Sequence, residues 1–545
     1  MTSRDKFIVI ALIGLFAVVS VAAVFLDKAE LPAVAAAEGG TYVEGVTSAP
    51  QYLQPVLAAS DVDQDVVRLV FAGLTQFDRD GSVIPDLATF ATSTDGKVWT
   101  FTIRDDVRWH DGQPVTAADV LYTVSLVQDK AYVGVFSDAF RGVKTEAVST
   151  RVVRFTLPEA FGSFAANTNL PLMPAHILRG VSYNDLPRSS FNMRPVGTGP
   201  FRVIEADVRQ VVLAPSNDYY RVRPERTRPY LDRIVLRAYP SAAEALTAIS
   251  RGEIDAVGGL STSDAIRARS YKNMSLYSFP TSDYTALFFN MRPQKAVFRD
   301  RVVRQAIAAA IDKGRILDVA AAGRGRLADE LVPPTSWAYV RELTRYERSP
   351  DNARAMLDAA DWKDHDGDGI RDKGGVKLAF GISTSDESSR VAAALQIVND
   401  LSQIGIAAEL RAVPFSVLID KVVSERSYDA LLIGVTGSGD PDPYPLFHSS
   451  EIADPGHNFS GYFTLPLDRV LENSRRTSDP AKRLELISTV FQAVAAEVPV
   501  IFLYYPDYLY AQRTLVQGLR IIPITAPSDR FWNVADWYVK TAIQR

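Results

Sequence analysis

One apolar run dictates where the rest of this chain has to fold. From Phe7 to Leu26 there is only one weakly polar residue, Ser20, and at about 1.5 Å rise per residue a helix of that length reaches across a bilayer core. Arg4 and Lys6 precede the run while Asp27 and Lys28 follow it. That bias keeps the N-terminus in the cytoplasm and sends everything after it outside. The small-residue sites Ala33-Val34-Ala35 and Ala35-Ala36-Ala37 lie well beyond the run, so it reads as an uncleaved membrane anchor, with a cleaved signal peptide as the alternative. No cysteine occurs in the 545 residues, which removes disulfides, thiolate metal sites and cysteine nucleophiles. Stability must come from buried cores, and the length provides for about three or four domain-sized units. Lys and Arg number 59 against 64 Asp and Glu, a net charge of −5, so no bulk positive field draws nucleic acid to the protein.

The patterning mixes strands and helices. Asp65 to Leu74 reads as a short helix stopped by Gly73. Asp95-Gly96 is a hairpin turn leading into Val98-Trp99-Thr100-Phe101-Thr102-Ile103, which alternates like a half-buried strand. Trp109-His110-Asp111-Gly112 makes a further turn, and Thr116 followed by Asp119 is a capping-box opening of a helix. Strands are predicted at Arg151 to Leu157, Phe201 to Ala206, Gln210 to Ala214 and Ile234 to Tyr239. Helices are predicted at Ala242 to Arg251, Arg299 to Lys313, Asp351 to Ala360, Arg390 to Ile404 and Ala481 to Glu497. Hairpins interspersed with isolated helices indicate α/β architecture with mixed α+β lobes.

Catalytic signatures are scarce: there is no G-x-S-x-G, H-E-x-x-H or Walker loop, and the five histidines are scattered. Asp364-His365-Asp366-Gly367-Asp368-Gly369 opens like a calcium loop, but its glycine and its missing glutamate do not fit an EF-hand, so it reads as a solvated turn and no metal ligand is assigned. Gly197-Thr198-Gly199-Pro200 leads into a strand and has no lysine, so it is a corner rather than a phosphate cradle.

Several stretches together resemble one family, the extracytoplasmic solute-binding proteins of peptide and nickel ABC importers known as family 5. The match includes Trp99-Thr100-Phe101-Thr102-Ile103-Arg104-Asp105-Asp106-Val107-Arg108-Trp109-His110-Asp111-Gly112-Gln113-Pro114-Val115-Thr116-Ala117-Ala118-Asp119-Val120. It continues with Pro195-Val196-Gly197-Thr198-Gly199-Pro200-Phe201, Arg251-Gly252-Glu253-Ile254-Asp255-Ala256, Leu287-Phe288-Phe289-Asn290 and Arg304-Gln305-Ala306-Ile307. Asp440-Pro441-Asp442-Pro443 and Glu497-Val498-Pro499-Val500-Ile501-Phe502-Leu503-Tyr504 complete it.

The resemblance implies a periplasmic-binding-protein-like fold with two main lobes, a hinge and an inserted third lobe. The expected division is 1–37 anchor and linker, 38–75, 195–284 and 505–545 lobe one, 76–194 the inserted lobe two, and 285–504 lobe three. It implies a binding protein and not an enzyme, without cofactor, that traps a peptide or peptide-like solute between lobes one and three by hinge closure and passes it to the transmembrane subunits of an ABC permease. The implied location is the periplasm or cell surface. A membrane-anchored sensor and an extracellular hydrolase are the alternatives.

By the resemblance, ungapped matching forward from Pro55 places Ala59, Ser60 and Asp61 on the lobe-one rim, and the lobe-three rim corresponds to Gly434-Val435-Thr436-Gly437-Ser438-Gly439-Asp440. Tyr284 and Asn290 belong to the crossing into lobe three. Peptide receptors of this kind have a tryptophan after Gly434 and, three residues on, an aspartate that pairs with the peptide ammonium; Val435 and Ser438 stand there. Asp440 and Asp442 are the local substitutes for that carboxylate, although Asp440-Pro441-Asp442-Pro443 reads first as a rigid turn and only second as a ligand contact.

Overall fold

A computed structural model describes residues 34–221, 226, 228–293, 296–437 and 439–543. The apolar run from Phe7 to Leu26 and Ser438 lie outside the described residues; among those described, no helix is long and apolar enough to cross a membrane.

A twelve-stranded mixed sheet organises the chain. In Tyr284–Phe289 all six residues are buried, as in a strand covered on both faces. Tyr284, Ala286 and Phe288 pack into one core on its near face, and Leu287 and Phe289 into another on the far face. This strand pairs antiparallel with Ala430–Val435, which pairs in turn with Ala379–Ser385. On its other edge lies Val500–Arg513, whose first residues, Val500 to Tyr504, complete this half of the sheet. Asp507 to Arg513 then pair with Met274–Pro280, and through Ala256–Gly258 the sheet continues to Thr41–Val46 and Arg233–Ala238. A separate four-stranded antiparallel sheet holds Ala88–Thr92, Val98–Ile103, Val152–Thr156 and Lys144–Ala147. In it Trp99, Phe101 and Ile103 point inward, as the alternation predicts.

Two predicted helices are corrected. The first spans Asp61–Val70, not Asp65 to Leu74: the Ser60 side chain caps its start, and Phe71 turns extended at its end. Gly73 is therefore no helix terminator; it forms a β-bridge with Pro171. The run from Arg299 to Lys313 is two helices, Arg301–Ala310 and Lys313–Ala321. Ile311 is extended, and Asp312 accepts from the Arg315 N–H as a new N-cap, because a short acid satisfies the first free amides of a helix better than it continues one.

The corner at Gly197 to Pro200 packs on the end of the Asp61–Val70 helix. A side chain at Gly197 would place its Cβ 1.9 Å from the Val70 carbonyl oxygen, so only glycine fits. Gly199 donates to that same carbonyl at 2.7 Å. His110 holds the corner from outside: its Nδ1 accepts from Gly197 N–H at 3.2 Å, and its Nε2 lies 3.0 Å from the Gly199 carbonyl. Burial lowers its pKa to about 4, which keeps the ring neutral and able to do both.

Arg530 ties three distant segments together. Its guanidinium donates to both oxygens of Asp65, at 2.7 and 2.5 Å, and to Glu44 Oε1 at 3.0 Å. The Tyr42 and Tyr510 hydroxyls close around Glu44. All of these groups are buried. Burial raises Asp65 to about 6 against the opposing pull of Arg530, so the pair rests on its geometry. Replacing Arg530 with alanine leaves two buried acids without their cation; chemical denaturation is expected to show a loss of about 3–5 kcal/mol.

Candidate functional site

A cavity of about 730 Å³ lies where the segments meet. The Asp61–Val70 helix contributes Gln64, Val67 and Arg68, with Phe71 just past its end, positions that share one helical face. Next to it the short hairpin of Thr75–Phe77 and Val83–Pro85 brings Phe77, Asp78, Arg79, Asp80 and Gly81 to the wall. A third side is the C-terminal segment with Thr525, Ser528, Phe531 and Trp532. Facing these are Tyr284, the loop after Ala430–Val435, and the stretch from Leu331 to Ser336.

The opposing walls touch. The Trp337 N–H donates to the Asp80 carbonyl at 3.3 Å. A Cβ on Gly439 would stand 2.5 Å from the Phe77 ring, so the loop passes directly over that aromatic. Farther out, Gly162 N–H donates to the Arg475 carbonyl at 2.6 Å.

The charges on the walls are mostly matched. Arg483 grips Asp440 with two bonds of 2.6 and 2.9 Å. Arg475 donates to Asp442 at 2.7 Å and lies 3.6 Å from the centre of the Tyr444 ring. Burial pushes Asp442 up, Arg475 pulls it down, and Asp440 adds to the rise. Asp86 is held by Arg221 and by the Tyr220 hydroxyl. Arg68 lies 3.8 Å from Asp529.

Of the residues expected at the site, Tyr284, Val435, Thr436, Gly437, Asp440 and Asp442 come together at the cavity. Tyr284 serves both as core and as lining: it packs edge-on to Phe502 at 5.3 Å and also faces the cavity. Gly437 is fixed by its N–H bond to Asp283 at 3.1 Å. Ser438 lies outside the described residues.

Four expected residues stand elsewhere. Ser60 accepts from Asp63 N–H as the helix N-cap, and Ala59 and Asp61 are exposed beside it; the lining is formed by Pro55 and Ala58 before them and by the helix face from Gln64 onward. Asn290 follows the opposite end of the strand from Tyr284, about 20 Å away at the rise of an extended chain. Its amide donates to Tyr428 O at 2.8 Å, and its oxygen accepts from Arg292.

The hairpin tip and the Thr525 to Trp532 stretch were missed. Asp80-Gly81 signals only a turn, and nothing in the C-terminal sequence marks it as lining. The turn of Asp364, Asp366 and Asp368 is far simpler: their oxygens converge, and Lys377 pairs with Asp366 at 2.9 Å and also with Asp368.

A sequence profile described as "Bacterial extracellular solute-binding proteins, family 5 Middle" matches residues 82–454. The oligopeptide-binding protein AppA of Bacillus subtilis is 29% identical over 511 residues, covering 92% of each chain. The dipeptide-binding protein of Escherichia coli is 23% identical over 536 residues, covering 92% of this chain and 95% of its own. The solved structure of AppA from Bacillus subtilis with a nonapeptide superimposes with a TM-score of 0.70 at 28% identity, covering 93% of this chain and all of that one. NikZ from Campylobacter jejuni with Ni(L-His) does so at 0.71 and 27% identity, covering 91% of this chain and 99% of that one.

Glu330 stands directly before the Leu331 to Ser336 wall and is 2% exposed. Its carboxyl accepts from Val340 N–H at 3.1 Å, closing the base of that loop. Burial raises its pKa to about 8, with Val340 and Arg345 opposing and Asp329 adding. Because the folded pKa lies above the unfolded one, the folded state holds the extra proton, and stability falls as pH rises from about 4.5 to about 8. Glu330→Gln keeps an acceptor for Val340 and removes the titration. Its melting temperature relative to the native protein is expected to rise between about pH 5 and about pH 8 and to level off above that.

Proposed function

The chain belongs to family 5 of the bacterial extracellular solute-binding proteins, and from that premise we propose that it captures a short peptide or peptide-like solute in the cavity and delivers it to the transmembrane subunits of an ABC importer. One observation carries the reading: the cavity lies between two separate sets of segments, Val435 to Gly437 and Gly439 to Asp442 on one side, and on the other the face of the Asp61–Val70 helix from Gln64, the hairpin tip to Gly81 and the Thr525 to Trp532 stretch. A ligand touching both sides stabilises the state in which they meet. The names of the relatives, one oligopeptide-binding and one dipeptide-binding, support a peptide. The volume lies within the roughly 300–1,000 Å³ typical of small-ligand sites, which favours a short one.

In this reading the ligand-contacting set is Tyr284, Val435, Thr436, Gly437 and Ser438, with Asp440 and Asp442 behind them. Both acids are already bonded to arginines, so a ligand ammonium competes for charge that is largely spent and contributes less than an uncommitted carboxylate would allow. The lobe division proposed for the chain puts the hinge where it passes between residues 284 and 285 and between 504 and 505. Phe7 to Leu26 would hold the protein at the membrane with its body outside.

Mass spectrometry of what co-purifies identifies the ligand. Adding it to stripped protein is expected to shrink the radius of gyration in small-angle scattering and to stabilise the fold by about 2.7 kcal/mol at a hundredfold excess over Kd. An unchanged radius with a bound ligand overturns closure. Cell fractionation tests the anchor: the protein is expected in the membrane fraction and accessible from outside, whereas a wholly soluble extracytoplasmic product leaves only the signal-peptide reading.

A further inference from the structure

Arg79 stands apart from the other arginines of the cavity. Arg68 and Arg221 are matched by Asp529 and Asp86, while Arg79 forms no ion pair among the described residues. Its chain neighbours do not answer it: Asp80 turns back to accept from the Ser82 N–H at 2.9 Å, and Asp78 makes no pair with it. What holds Arg79 is Trp532, whose ring centre lies 5.0 Å from the guanidinium carbon. A cation–π contact supplies no carboxylate partner, and the planar fork of a guanidinium matches the two oxygens of a carboxylate.

We propose that Arg79, presented on Trp532, is the specificity anchor for a carboxylate of the captured solute, the C-terminal carboxylate when that solute is a peptide. The assignment rests on the solute-capture reading above and deepens it. The position suits such a role. Arg79 sits at the hairpin tip between two cross-cavity contacts, Phe77 against Gly439 and the Asp80 carbonyl against the Trp337 N–H. An anion bound there lies at the seam between the two walls, where a charge-assisted bond adds to the contacts that join them. The acids on the facing loop, Asp440 and Asp442, are neutralised by Arg483 and Arg475 and so do not repel it.

Calorimetry with di- to pentaalanine and the same peptides as C-terminal amides tests this on the full chain. The native protein is expected to bind the free acids at least about tenfold more tightly than the amides, a difference of about 1.4 kcal/mol. In Arg79→Gln the preference is expected to fall to about twofold or less, with Arg79→Lys restoring part of it because the charge returns without the planar fork. The melting temperature of unliganded Arg79→Gln should match the native value, since Arg79 is exposed. Equal binding of acid and amide by the native protein overturns the anchor without recourse to any variant, and so does a preference that survives in Arg79→Gln; either leaves the capture reading standing. If no peptide binds in either form, the peptide reading itself fails, and the anchor with it.

Discussion

Val500–Arg513 is fourteen residues long, about 46 Å at the usual rise, where strands in globular proteins run to about ten. Both halves of the large sheet are built on it: Tyr284–Phe289 pairs along its first residues and Met274–Pro280 along its last. The two partners are themselves consecutive in the chain, so the halves are joined by two adjacent extended segments running in opposite directions. Between them the ladder is irregular. Pro506 has no N–H to give, and a proline inside a central strand marks a break in regular pairing. The neighbouring groups are tied locally instead, with the Thr281 hydroxyl donating to the Pro506 carbonyl at 2.6 Å and Ser278 to Asp507 at 2.7 Å. At this place Tyr504 to Pro506 pair instead with the short strand Gly325–Leu327, so one continuous backbone carries the sheet from one half to the other while its partners change.

The cavity opens beside this connection, and its walls are rigid for reasons that lie behind them. On one side, Arg530 binds Asp65 on the lining helix and Glu44 on the sheet, so the C-terminal segment carrying Phe531 and Trp532 is locked to both. His110 clamps the corner that caps the same helix. On the other side, the arginine pairs of Asp440 and Asp442 brace the loop that faces them. Arg483 is itself almost wholly buried, so this brace is a structural ion pair as much as a wall. The result is two braced surfaces that face each other across the cavity.

Much of the secondary structure was legible because local chemistry decided it. The Asp95-Gly96 turn, the alternation from Val98 to Ile103 and the Thr116 to Asp119 cap need only neighbouring residues. The segments that misled were those in which a local signal had a distant cause. Gly73 looked like a helix stop but serves a bridge to Pro171. Ser60 looked like a rim residue, yet its hydroxyl is spent on the helix it begins. Asn290 carries the right chemistry for a site at the wrong end of a strand, since alternation reveals which face a residue shares but not which end of the strand meets a cavity.

By itself the sequence determined the mixed α/β class, the apolar segment that precedes the folded body, the helices and hairpins, and the family to which the chain belongs, because each of these is written in contiguous residues. Which side chains share a cavity was decided only by the tertiary structure. Trp532 reaches Arg79 because Arg530 draws the C-terminal segment against Asp65 and Glu44, and Gly439 reaches Phe77 because one strand carries both halves of the sheet. Those contacts join residues hundreds of positions apart. Their energy comes from burial and charge pairing that exist only after the chain has closed on itself.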